Sequence, residues 1–209
     1  DLLRAEVQNP LQMFIYTLRY DAAAASAKRD ALKLPKEIVV DMGKGVQMRF
    51  TLVPNGKFVM GTNAKFYDEG PARVEEISKP FYMAQFETTN SQYAVFDPKH
   101  DSGHLDRHWK DHVNPGYPAN RPQQSVIRVS WNEAQDFCKW MSEKFGVKVS
   151  LPTEAQWEWA ARAGSDKDFW FGKVGDNYGA YENLADYSVR KFAVNGIDPQ
   201  PVVFPNKHI

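Results

Sequence analysis

The stretch "LPTEAQWEWAARAG", residues 151–164, holds two tryptophans and two glutamates within fourteen positions. Thr153 and Gln156 form an S/T-x-x-E/Q pair, in which the hydroxyl accepts an orphaned backbone N–H and the longer side chain reaches back. That pattern predicts a helix starting after Thr153 and ending at Gly164, with Ala155, Trp159, Ala160 and Ala163 on one buried face. Glu154 falls in the first turn, where a carboxylate complements the helix dipole. Glu158 lies one turn further along the same side. Two carboxylates could act as an acid and a base, but that chemistry needs them across a cleft rather than one helical turn apart. The string therefore predicts a capped core helix.

The same punctuation recurs twice upstream. Thr89 with Gln92 predicts a short helix over "NSQYAVF", ending before Pro98. Ser130 with Glu133 predicts a longer helix over "WNEAQDFCKWMSEKF", with Gly146 as its stop. On that helix Trp131, Ala134, Phe137, Cys138, Met141 and Phe145 share a stripe.

Before these helices the pattern is strand-like. In "VQMRFTLV", Val46, Met48, Phe50 and Leu52 alternate with Gln47, Arg49 and Thr51, which predicts a half-buried strand. "PNG" at 54–56 is turn chemistry and "KFVMG" follows, predicting a hairpin between these two segments. "ISKPFYMAQFETT" predicts a further strand with Phe81, Met83 and Gln85 on one face. At the N-terminus, residues 11–34 read as a helix that follows Pro10 and stops at Pro35. It is either a helix packed on the main domain, or a docking arm towards an upstream domain or larger complex.

The composition narrows the function. Twenty-six basic and twenty-six acidic residues cancel, and no Lys/Arg stripe is interleaved with aromatics, so nucleic acid is not an expected partner. No apolar run has membrane-spanning length, and residues 1–40 read as neither a signal nor a transit peptide. The chain carries one cysteine, Cys138, which excludes an internal disulfide and a cysteine-only metal site. Cytoplasm and a bacterial envelope or periplasm are both compatible with that. On the buried stripe of a helix, a thiol serves as a small hydrophobe rather than as a nucleophile or ligand.

His100, His104, His108 and His112 are spaced by four, which on a helix would align them for Zn²⁺. Gly103 interrupts the run, Pro98 and Pro115 bracket it, and no carboxylate completes an H-E-x-x-H pattern. Residues 97–122 read better as a polar insertion loop that could shape a partner surface. From Ser165 onward, aromatics recur among Gly, Asp and Asn without a period, predicting ordered coil.

Three blocks in order resemble the formylglycine-generating enzyme family, also called sulfatase-modifying factors. They are "FVMGTNAKFYDEGPARVEEISKPFYMAQFETTNSQYAVF" (58–96), "SVIRVSWNEAQDFCKWM" (125–141), and "LPTEAQWEWAARAG" followed by "FWFG" and "YENLADYS" (181–188). The resemblance covers roughly residues 46–190. It implies an α+β fold, a C-type-lectin-like variant with much irregular structure, over residues 41–209. Residues 1–40 would then be a helical extension or linker. Family members include copper-dependent oxidoreductases that convert a cysteine of sulfatases to formylglycine, so a sulfatase-like peptide is the implied partner. Iron-dependent sulfoxide synthases are relatives, but their His-x-x-x-His-x-Glu motif is not supplied by residues 11–34.

The departure from the family lies in the thiols. The generating enzymes carry a copper-binding cysteine pair near an Arg-Gly-Gly-Ser-Trp block, and neither occurs in this sequence. Copper(I) asks for two soft thiolates, and one cannot serve. The expectation is a domain incomplete at Ile209, inactive as this chain alone, with copper relevant only if cysteines come from elsewhere. The alternative is a non-catalytic, lectin-like binding module of an envelope protein. The resemblance also implies a structural Ca²⁺ held by the Asn183 side chain and the Leu184 carbonyl, with Asp186 or Asp198 adding a carboxylate. The plainer reading of Asn183 is an Asx-turn.

Overall fold

The computed structural model describes residues 22–62, 70–105, 117–165, 170 and 172. The elements run α1 (Ala22–Ala31), β1 (Glu37–Gly43), β2 (Val46–Val53), β3 (Gly56–Met60), β4 (Arg73–Ile77), β5 (Phe81–Ala84), α2 (Asn90–Phe96), β6 (His104–Leu105), β7 (Tyr117–Pro118), α3 (Trp131–Phe145) and α4 (Glu154–Arg162). Strands β1, β2 and β5 form one sheet in that order, and β3–β4 and β6–β7 form two-stranded pairs. No helix among the described residues is long and apolar enough to cross a membrane. By contacts the chain divides into two compact units. The first comprises the described residues within Asp1–Glu37, Thr51–Met83 and Pro152–Val174; the second, those within Ile38–Phe50, Ala84–Leu151 and Gly175–Ile209.

The first unit is built on an antiparallel ribbon. Gly56 pairs with Ile77, Phe58 with Glu75, and Met60 with Arg73. Paired residues share a face, and on this one Phe58, Met60 and Ile77 are buried against half-buried Ala155 and Trp159 of α4. The Trp159 ring sits 5.4 Å from Phe58, centroid to centroid, and its Nε1–H donates to the Pro54 carbonyl at 2.7 Å. Gly56 makes that approach possible, because a Cβ there would lie 2.7 Å from the tryptophan ring. On the same face Arg73 bridges Glu75 at 2.7 Å. Near α1, Lys36 reaches Asp30 at 2.7 Å and holds its carboxyl below the ordinary carboxylate range.

The second unit is helix-rich. Its core joins Met42 and Met48 from the sheet to Tyr93 of α2 and to Phe137 and Met141 of α3. Tyr93 and Phe137 stack at 5.5 Å, while Phe96 meets both rings edge-on. Burying each such side chain stabilises the fold by about 1.5–3 kcal/mol.

The three capping boxes form as the sequence predicts, at Thr89, Ser130 and Thr153. The Ser130 hydroxyl and N–H both donate to the Glu133 carboxylate, holding its pKa low. Gly146 ends α3 in the left-handed region at φ 65°. Strand β2 alternates as expected, with Met48 and Leu52 buried and Gln47 and Arg49 exposed.

Four expectations need correction. The hairpin after β2 does not form, since β3 pairs with β4 rather than with β2. The tight turn lies one strand earlier, where Lys44 (φ 57°) and Gly45 (φ 76°) join β1 to β2. Two consecutive positive φ angles match the type I′ connection that suits strand twist. In addition, "ISKPFYMAQFETT" is divided, with Ile77 closing β4 and β5 limited to Phe81–Ala84, all four half-buried. Trp131, placed on the buried stripe of α3, is 68% exposed. Lastly, α4 has no fully buried residue and ends at Arg162, with Ala163 taking the left-handed cap at φ 47° before Gly164. The N-terminal helix is described only over Ala22–Ala31, and the remainder of 11–34 falls partly outside the described residues.

Candidate functional site

Cys138 lies on the inward side of α3, 8% exposed, between buried Phe137 and Met141. Burial pushes its thiol pKa up, because a thiolate there would lose its hydration with no cation to compensate. A reactive or metal-binding cysteine needs the opposite shift. The structure thus agrees with the sequence in making this sulfur a packing group.

A second constellation resembles a nucleophile beside a base. The Ser102 hydroxyl, in a residue only 1% exposed, stands 3.4 Å from His100 Nε2. That nitrogen also faces the Ile127 carbonyl at 2.9 Å, so it must carry the proton and donate it there. It therefore cannot accept one from Ser102. The serine donates instead to Asn90 Oδ1 at 2.6 Å and accepts the Ile127 N–H at 3.1 Å. Asn90 completes the arrangement, its Nδ2 donating to the carbonyls of Ala119, Arg121 and Gln124 at 2.8, 2.9 and 3.2 Å. One amide side chain at the start of α2 thereby fixes the segments around residues 102, 120 and 124. This is a structural knot that satisfies loop backbone.

The carboxylate pair of the opening string is likewise accounted for. Glu158 accepts the Gly61 N–H at 3.0 and 3.3 Å, and Arg162 Nε donates to it at 2.9 Å. Gly61 adopts φ 77°, the left-handed region that glycine tolerates, as β3 ends. Glu154 remains in the first turn of α4. Glu158 thus ties the helix to the end of the ribbon, while Glu154 stays exposed in the first turn.

Among the described residues, the histidines do not assemble a metal centre. His100 is held by Ile127 and packs edge-on to Tyr93 at 4.9 Å. His104 lies in β6, its carbonyl accepting from Arg128 at 2.8 Å, and His108 and His112 lie outside the described residues. Nearby, Asp101 accepts the Gly103 N–H at 2.8 Å, which with Asn120 holds its carboxyl below the usual range. Among the described residues no group of three His, Cys, Asp or Glu side chains could hold a metal ion. The calcium residues implied by resemblance, Asn183, Leu184, Asp186 and Asp198, all lie outside the described residues.

Two features escaped the sequence reading. The Glu158–Gly61 and Asn90 clamps join residues far apart in the chain, and no local pattern announces them. Three large aromatics, Phe86, Trp131 and Trp157, are exposed by 72%, 68% and 62%.

The family described as sulfatase-modifying factor enzyme 1-like domain matches residues 36–205. The chain belongs to this family. It is 28% identical over 176 residues to the formylglycine-generating enzyme of Thermomonospora curvata, covering 64% of the chain and 54% of that protein. It is 26% identical over 163 residues to the inactive C-alpha-formylglycine-generating enzyme 2 of Bos taurus, covering 60% of the chain and 52% of the relative. The chain thus spans about half the length of these curated relatives. Among solved structures it is similar to PvdO from Pseudomonas aeruginosa, with TM-score 0.50 and 21% identity, covering 73% of the chain and 66% of PvdO. At that identity the likeness concerns the fold, which is α+β and C-type-lectin-like as the sequence implied.

Proposed function

We propose that residues 36–205 form a formylglycine-generating-enzyme-like scaffold that engages a sulfatase-like peptide. In the whole protein, any cysteine oxidation would draw its thiolates from outside residues 1–209. The observation that carries this reading is Cys138, the one cysteine of the sequence, buried and with its thiol pKa raised. Copper(I) bound by paired thiolates would supply the oxidative chemistry, and one interior thiol offers no such pair. The chain's part would be to bind and orient the peptide.

A second reading, a non-catalytic binding module, draws support from the relative whose own name describes it as inactive. One assay separates the two. The 209-residue chain is expected to form no formylglycine on a Cys-x-Pro-x-Arg peptide supplied with copper and oxygen, followed by peptide mass. Turnover by this chain would overturn both readings. Turnover by a longer gene product containing a cysteine pair, unaffected by Cys138→Ala, would favour the enzyme; failure of that product as well would favour the binding module.

Calcium at Asn183, Leu184, Asp186 and Asp198 belongs to the same proposal and rests on the sequence resemblance. The expected outcome is a calcium-dependent rise in unfolding temperature that Asn183→Ala abolishes, since a ligand of the folded state alone stabilises it by mass action. An equal rise in both proteins would remove these residues from the site.

A further inference from the structure

We draw no further inference here: the strongest candidate, the surface patch on α4 where Glu154 and Trp157 stand exposed beside Glu158, carries none because Glu158 is already held by Gly61 and Arg162 and nothing in the structure shows what covers Trp157.

Discussion

Helices α3 and α4 open with the same local device and are then secured by different physics. After its Ser130 box, α3 buries Phe137, Cys138 and Met141, and its hold on the second unit is apolar and aromatic. After its Thr153 box, α4 buries no residue completely. It leans Ala155 and Trp159 on the ribbon of the first unit, and its other ties are polar: Trp159 to Pro54, and Glu158 to Gly61. A capping box therefore states where a helix begins and says little about how it is kept in place.

The largest expected effects test that contrast directly. Phe137→Ala should destabilise the protein by about 3–5 kcal/mol in a denaturant titration, as a core aromatic truncation does. Trp159→Ala should cost about as much, but for two reasons, so Trp159→Phe should divide them. Phenylalanine keeps a ring against Phe58 but loses both the bond to Pro54 and the indole's outer ring packed on Gly56, a deficit of about 1–2 kcal/mol. If Trp159→Phe were as damaging as alanine, the ring contact with Phe58 would contribute little beside the Pro54 bond and the Gly56 packing. A silent Trp159→Ala would mean that α4 is not anchored through this ring at all.

Next in size come the two clamps. Removing Glu158 by alanine should cost about 1.5–3 kcal/mol, the range for a hydrogen bond to a charged group, and the loss should shrink in high salt. Asn90→Ala removes the acceptor nearest the buried Ser102 hydroxyl and the side-chain donor to three carbonyls, at about 1–3 kcal/mol, with no salt dependence because the amide is neutral. Equal salt responses for the two variants would erase this distinction between a charged and an uncharged clamp.

The smallest effect concerns Cys138. Its thiol pKa is raised by burial, so the folded chain holds that proton more tightly than the unfolded one. The resulting stability is present below the unfolded thiol's pKa and is lost as pH climbs through the folded value. Denaturation midpoints should therefore fall from about pH 8.5 upward, and Cys138→Ala should flatten the early part of that fall. Tyr93, also raised chiefly by burial, adds to the decline at higher pH. An unchanged alkaline slope in Cys138→Ala would place the sulfur in contact with water.

These elements also show where the sequence was legible. The capping boxes were readable because the donor, the acceptor and the helix start lie within four residues of one another. Strand β2 was readable because one half-buried face imposes a period of two. Turn composition alone points to the wrong place: "PNG" carries the composition of a hairpin turn, while the tight turn that forms uses Lys44–Gly45, where lysine must adopt positive φ. The partner of β3 is "RVEEI", whose charges conceal a strand because only Ile77 is buried. Helical spacing sets Trp131 on the stripe but cannot tell which edge of a stripe faces water, and this edge does. The reach from Glu158 to Gly61 spans 97 positions, and Asn90 reaches 29 to 34. Such pairings arise only once packing has brought the segments together. Of the candidate site, the inert character of Cys138 was legible from its place on the α3 stripe, because burial follows from helix phase.

The box at Thr153 also acts as the zero mark of a dial. Counting starts there, and each residue turns the next side chain by about 100° around the helix. One additional residue between Gln156 and Glu158 would keep the start of the helix intact and swing the carboxylate away from Gly61. The spacing inside this short string thus sets a compass bearing, and a length change of one residue would lose the attachment.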